Sequence, residues 1–427
     1  MKTDPSSKNM AQIVERHVRS IAHRTFLKWI AGIGFLMITL GGVLVAAGIG
    51  PARIPPSATA RFLLSRVPGL ESLWTEQKSD LSGRMEGLRK EASRLREQVR
   101  QQEKSGLPAH ALQSRWAAVE KEWEDCSEAL RDLENYEIWI GQGRLPRILI
   151  ALLAGAGLAV SGAIFQGLVL NPLASSGTLG VSGGAAAGAS LFMVLGAGTS
   201  LAHSALGIPI AAFSGAMLTL SLVWFVAKSG RGSTSPLSLI LAGVIIGIFL
   251  GAAMSFIRII AEEESLRTLT LWGVGSLASR EWTHVKVCWP IVLVGILFAI
   301  VYARDLNLLS LGAQQARHIG VHVNRSRKIL MITAALITAG AVSVAGPIGF
   351  VGLVVPHSVR MLIGPDHRTL IPFSALGGGF FLLVCDTVGR TIASPLELPV
   401  GIVTSLIGAP FFVYIYKTRM REGAVLT

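Results

Sequence analysis

Asp386 and Arg390 stand four residues apart inside a run, 370–392, that is otherwise apolar. At that spacing both side chains share one helix face and can pair. Ionisable groups within an apolar span are functional candidates by default, and ion movement is the chemistry they suggest. His318 and His322 have the HxxxH spacing of a two-histidine metal site. Gly320 between them weakens the helix such a site needs, and no third ligand lies nearby, so both read as loop histidines. His357, following Pro356, reads as a packed or interfacial histidine. No GxxxxGK[ST] phosphate loop and no HExxH occur, so neither ATP binding through that loop nor a catalytic zinc is expected. Cys126, Cys288 and Cys385 lie far apart without CxxC spacing, which implies no metal site and no disulfide framework.

One polar stretch has a different pattern. "LNLLSLGAQQARHIGV" (306–321) lies between two long apolar runs, and Gly312 and Gly320 bracket residues that can make two helical turns, Ala313 to Ile319. A small apolar face flanked by positive charge can seat in a partner's groove or lie on a membrane surface. The residues themselves leave both readings open.

The elements that must position these groups are set by composition. The chain has 427 residues, 51% hydrophobic and 15% charged, with a mean hydropathy of +0.54. A soluble globule carries about 25% charged residues, so an integral membrane protein is expected. About 20 apolar residues cross a bilayer. Runs of that kind fall at roughly 27–49, 146–170, 176–197, 205–227, 236–260, 286–303, 329–346, 348–363, 370–392 and 398–416. The first is longer than a secretory-signal core and reads as an uncleaved span. The eighth is short and interrupted by Pro347 and Pro356, as expected of a broken or tilted element. The glycines of "SGGAAAGAS" (182–190) suit close helix packing rather than phosphate binding.

Orientation follows from the short loops. With the N-terminus inside, segments 1–28, 228–231, 304–328, 360–368 and 417–427 face the cytoplasm, with 18 Lys and Arg against five Asp and Glu. That difference is the whole formal charge of +13, since 21 residues of each sign remain elsewhere (39 less 18 and 26 less 5). The high basicity therefore needs no nucleic acid.

Residues 51–143 depart from the membrane pattern and hold 15 of the 26 acidic residues. Leu81, Met85, Leu88, Ala92, Leu95 and Val99 alternate spacings of four and three, as do Leu112, Trp116, Val119, Trp123, Cys126, Leu130 and Leu133. Between them "KSGLPAH" (104–110) places Gly106 to end one helix and Pro108 to start the next. The pattern predicts an antiparallel coiled-coil hairpin over about 76–137, its arms roughly 45 Å long. Cys126 falls on the apolar seam.

Several segments together resemble the permease subunits of type II ABC importers for cobalamin, haem and ferric siderophores. They are "GRLPRILIALLAGAGLAVSGAIFQGLVLNPLASSGTLGVSGGAAAG" (143–188), "LILAGV" (239–244), "LWGVGSL" (271–277), the 306–321 stretch, "AGPIGFVGLVVPHSVRMLIGPDHR" (345–368) and "ELPVGIVTSLIGAPFFVYI" (397–415). The resemblance covers essentially all of 143–417 and, less distinctly, the first span. It implies an all-α integral membrane protein with ten transmembrane helices per subunit. The expected organisation is a cytoplasmic basic N-terminus (1–26), a first span (27–50), a periplasmic insert carrying the hairpin (51–143), nine further spans (144–417) and a cytoplasmic tail (418–427).

The resemblance also implies roles. The chain is expected to be a homodimer in the bacterial cytoplasmic (inner) membrane, served by two cytoplasmic ATPase subunits and a periplasmic substrate-binding protein. ATP and magnesium belong to the ATPase, and this chain is expected to carry no cofactor and no enzymatic activity. Leu311, Gly312, Ala313, Ala316, Arg317, Gly320 and Val321 match the motif whose short helices rest in the ATPase. Arg144, Arg147 and Arg390 match arginines that pair with acids on the binding protein, although lipid headgroups would also suit Arg144 and Arg147. Asn171 and Leu173, in the "NPL" turn, match an inner gate; no gate residue is assigned in 232–238. The hairpin departs from the family, whose first two spans are joined by a short loop.

Two other classes are weighed. A non-transporting scaffold or sensor displaying a coiled coil would need neither the NPL turn nor the 306–321 motif. An ion-coupled secondary transporter would show more acidic groups deep in its spans than Asp386, which has a local partner in Arg390.

Overall fold

A computed structural model describes residues 30, 32–50, 54–105, 107–196, 204, 206–228 and 235–421. Gly106, the expected helix terminator, and 232–234 of the unassigned gate segment lie outside them. Among the described residues all regular structure is helical and no β-strand occurs. The chain divides into two compact units, Ala47–Pro146 and a larger one of Met1–Ala46 with Arg147–Thr427.

The smaller unit is built from α2 (Pro56–Leu64), α3 (Ser72–Lys104), α4 (His110–Ile138) and a π-helical turn, Trp139–Arg144. The helices α3 and α4 pack side by side in opposite directions. Every residue of the two predicted seams is buried or half-buried, with Leu95, Val99, Val119, Cys126 and Leu133 buried. The Cys126 thiol donates to the Leu81 carbonyl across the seam at 3.4 Å. Flanking ion pairs join Lys78 to Glu137 (3.4 Å), Arg84 to Glu122 (3.4 Å) and Glu91 to Arg115 (3.1 Å). Exposed pairs of this kind contribute about 0–1 kcal/mol each, so seam burial does most of the stabilising. Within α3, Lys90 lies 2.7 Å from Glu86 and holds its carboxyl below the ordinary value.

At the base of the hairpin Ile54, Phe62, Trp74, Leu133 and Ile140 form a small core, Phe62 and Trp74 meeting edge to face at 5.3 Å. One detail differs from the sequence pattern. Pro108 does not open α4, which begins at His110; the proline stays in the connecting loop.

The larger unit comprises α1 (Gly32–Gly48), α5 (Leu145–Val169), α6 (Val181–Leu195), α7 (Gly207–Ala227), α8 (Pro236–Ile260), α9 (Glu263–Gly273), α10 (Trp282–Val301), α11 (Ala303–Leu309), α12 (Ala313–His318), α13 (Val323–Ala345), α14 (Val351–Ile363), α15 (His367–Thr391) and α16 (Val400–Arg421). Among the described residues six helices are long and apolar enough to cross a membrane: the one that ends as α5, and α7, α8, α10, α13 and α15. Four shorter ones, α1, α6, α14 and α16, are apolar as well. The third apolar run is shorter than expected, because 171–180 forms turns ahead of α6. The helix α14 starts from Phe350 in the left-handed conformation (φ 65°) and carries Pro356 inside.

Helices α5 and α13 form the interior, whereas α8 turns Leu241, Ile248, Phe249, Phe256 and Ile259 outward. Glycine lets α5 approach its neighbours at backbone contact. A Cβ on Gly162 would overlap the Gly352 carbonyl of α14, and one on Gly155 the Gly378 carbonyl of α15. Gly162→Val must therefore push two buried helices apart. We expect a loss of about 3 kcal/mol, seen as a lower unfolding temperature in detergent. Gly34→Val on α1, where a Cβ meets nothing within 4 Å, should leave that temperature unchanged.

Candidate coupling, gate and docking sites

The stretch 306–321 folds as two short helices rather than one. The first, α11, buries Ala303, Leu306 and Leu309. The second, α12, is set off by Gly312, whose φ of 111° only glycine adopts readily. It closes with a Schellman motif: Gly320 (φ 91°) donates to the Arg317 carbonyl at 3.0 Å and Val321 to the Ala316 carbonyl at 3.0 Å. With both ends fixed, α12 keeps one presentation. Ala316 is fully buried against its own chain, while Leu311 (61% exposed) and Ile319 (57% exposed) stand outward on either side of exposed Arg317. Of the expected coupling residues, Leu311 and Arg317 thus form the outer surface; Ala316 is buried behind it, Gly312, Ala313 and Val321 are half-buried, and Gly320 is exposed at the closing turn. Ile319 was not singled out by the motif; its signal was an apolar residue just before the closing glycine. Beside α12 opens a cavity of about 470 Å³ lined mainly by polar groups, among them Tyr302, Arg304, His322 and Arg325.

The NPL turn is equally well defined. Leu170 ends α5 in the left-handed region (φ 56°). The Asn171 side chain then accepts the Leu173 N–H at 2.9 Å, and its backbone carbonyl accepts that of Ala174 at 3.1 Å. This Asx-turn holds Leu170 and Leu173 exposed. Leu170 joins Asn171 and Leu173 as a gate candidate. In the other gate segment Ser235 caps α8, accepting the Ser238 N–H at 3.0 Å.

Two of the three expected docking arginines meet on one carboxylate. Asp386, 1% exposed, lies 2.9 Å from Arg147 Nη2 and 3.1 Å from Arg390 Nε. Arg147 Nε also donates to both Asp386 oxygens (3.0 and 3.1 Å), and its Nη1 reaches Glu397 at 2.7 Å. Arg390 donates in addition to the Ala46 carbonyl at 3.2 Å. The network thereby joins the start of α5, the end of α15 and the loop before α16. Glu397 and Arg280 were not anticipated. Burial and the neighbouring Arg147 both push the Arg280 guanidinium below its ordinary value. In the smaller unit Arg144 ends the π-helical turn, buried, and donates to the Ala47 carbonyl at 2.6 Å. All three arginines are therefore occupied by groups of their own unit.

Among the described residues no three His, Cys, Asp or Glu side chains stand close enough to hold a metal ion. Cys126, Cys288 and Cys385 are buried and unpaired with one another.

The apolar helices agree with comparison against known proteins. The FecCD transport family model matches residues 111–418. The chain belongs to that family. The Halobacterium salinarum cobalamin import system permease protein BtuC is 43% identical over 67% of this chain and 75% of its own length. The Yersinia pestis hemin transport system permease protein HmuU is 40% identical over 67% of this chain and 85% of its own. The Escherichia coli Fe(3+) dicitrate transport system permease protein FecD is 38% identical over 72% and 91%. Among solved structures, an inward-facing ABC transporter described as of the metal-chelate type is 36% identical, covering 66% of this chain and 89% of its own, with a TM-score of 0.61. The FecCD-family chain is a membrane-embedded, multi-pass transport permease. Neither a scaffold nor an ion-coupled transporter fits that membership.

Proposed function

We propose that this FecCD-family chain is the transmembrane subunit of an ATP-driven importer that moves a metal chelate or corrinoid from periplasm to cytoplasm. The observation that carries the reading is a family match running unbroken through the helical core, with relatives named for cobalamin, haemin and iron-chelate transport. Among the described residues six long and four shorter apolar helices support ten spans; α11 and α12 then lie on the cytoplasmic side of a bacterial inner membrane.

Two copies form the pathway, and the outward apolar residues of α8 face lipid or the second copy. Each copy seats α12 in one of two cytoplasmic ATPase subunits, through Leu311, Ile319 and Arg317. ATP hydrolysis on those subunits, which hold the nucleotide and magnesium, shifts the dimer between outward- and inward-open states. Leu170, Asn171 and Leu173 close the inner end. This chain then needs no catalytic group and no cofactor of its own.

On the outer side the ion pairs of Arg147, Asp386 and Arg390 brace the face that receives a periplasmic substrate-binding protein; of the two arginines only Arg147 keeps an exposed edge, and buried Arg390 acts as a brace. The hairpin is a two-stranded coiled coil displayed in the periplasm, where it guides that partner. Excising residues 76–137 should leave assembly with the ATPase intact and reduce uptake several-fold when the binding protein is limiting. Unchanged uptake would remove the docking role from the hairpin. The permease reading itself is tested by co-purification: the chain in detergent should retain two ATPase subunits per dimer.

A further inference from the structure

The helix behind α12 is tied to the rest of the fold by side chains that nothing above uses. Asn307 sits half-buried on α11 and makes three contacts to the start of α15. Its Nδ2 donates to Asp366 Oδ1 at 2.6 Å, and its Oδ1 accepts the His367 backbone N–H at 2.9 Å. His367 Nδ1 lies 2.7 Å from the same oxygen and, because an amide oxygen only accepts, carries the proton. Asp366 in turn caps α15 by accepting the Arg368 N–H at 3.0 Å.

Two further contacts make α11 a junction. Asp305 accepts the Ser326 hydroxyl of α13 at 2.5 Å. Leu306 and His367 both press on Gly167 of α5, where a Cβ would come within 2.9 Å of each, three residues before the Leu170 turn. Farther along α15, about 28 and 35 Å from His367 at 1.5 Å per residue, stand Asp386 and Arg390.

We propose that Asn307 is the positioning residue that transmits movement of α12 into α15, through its paired bonds to Asp366 and His367. The inference rests on the permease reading, in which α12 seats in the ATPase. A helix gripped at its first residue must follow that grip, with Pro372 in its second turn as the point where it can bend, so displacement of α12 reaches the Leu170 gate turn and is carried along α15 toward the Asp386 network. If Asn307 is released, α12 can still ride on the ATPase, but α15 no longer follows.

The test uses the full complex of permease, ATPase and binding protein in liposomes. Asn307→Asp places two carboxylates at the 2.6 Å contact. Adding Asp366→Asn restores the 307–366 bond with donor and acceptor exchanged; it gives up the bond from the Arg368 N–H, because Asp366 Oδ1 accepts both, so Asp366→Asn alone is the control for the lost cap. We expect Asn307→Asp to keep basal ATP hydrolysis within about twofold of the wild type. Uptake per ATP should fall at least about tenfold, and stimulation of hydrolysis by the binding protein should vanish. The exchanged pair should recover at least half of both, which a purely structural role for Asn307 does not predict for stimulation. If Asn307→Asp does not accumulate, Asn307→Ala carries the same comparison without added charge. Wild-type uptake per ATP in Asn307→Asp, or no recovery in a folded exchanged pair, overturns the inference alone. A wild-type complex that moves no cargo overturns the permease reading, and the inference with it.

Discussion

Asp386→Ala is expected to lower the stability of the chain by about 3–5 kcal/mol, the usual loss when one partner of a buried ion pair is removed, and to abolish uptake. Asp386 is 1% exposed, with Arg390 at 3% and Arg147 at 11%, so water screens the pairs little. Without it, Glu397, itself 34% exposed, is the remaining carboxylate near two guanidiniums. Asp386→Asn keeps the shape and one acceptor and should cost less. The stabilising and docking roles separate in a third variant. Replacing Arg147, Asp386 and Arg390 together by Met, Leu and Met removes the paired charges together and should recover much of the stability. Uptake should stay lost, because the outer face then lacks Arg147, the network's partly exposed arginine, for the binding protein. Thermal unfolding in detergent and uptake in liposomes check these outcomes, and an unfolding temperature unchanged in Asp386→Ala would contradict the account of the network.

The second large effect is expected on α12. Leu311 and Arg317 project outward, so Leu311→Asp and Arg317→Glu leave the packing of their own chain intact. Each should nonetheless weaken ATPase association about 30-fold, the equivalent of roughly 2 kcal/mol at an interface hot spot. Uptake should fall in parallel and return partly when ATPase is supplied in excess. Gly320→Val should give a similar loss for another reason: at φ 91° a branched side chain is strained and the Schellman closure opens. Association measured by co-purification distinguishes these from a folding defect. Full association in Arg317→Glu would show that the ATPase does not read this surface.

Much of this was legible in the sequence because hydrophobic pattern is a local property. The apolar runs became helices, and the alternating spacing from Leu81 to Leu133 marked the least exposed positions of α3 and α4. Asp386 and Arg390 could be paired because four residues is one helical turn. What failed to show depends on residues distant in sequence or on single backbone angles. Arg147 and Asp386 are 239 residues apart, and Arg147 and Glu397 are 250 apart, so no spacing rule links them. The split between α11 and α12 rests on the φ of one glycine, Gly312, which could as readily have continued a loop. Helix α9 is short and carries only a brief amphipathic signal. The grip of Asn307 on α15 joins residues that are unremarkable apart and meaningful only together.

The most direct test reconstitutes the chain in liposomes with its ATPase and binding protein and follows accumulation of cobalamin, haem and a ferric siderophore inside. ATP-dependent accumulation of one of the three is expected, lost in Arg317→Glu while the permease remains folded. Accumulation that proceeds without ATP, or undiminished in that variant, would contradict it.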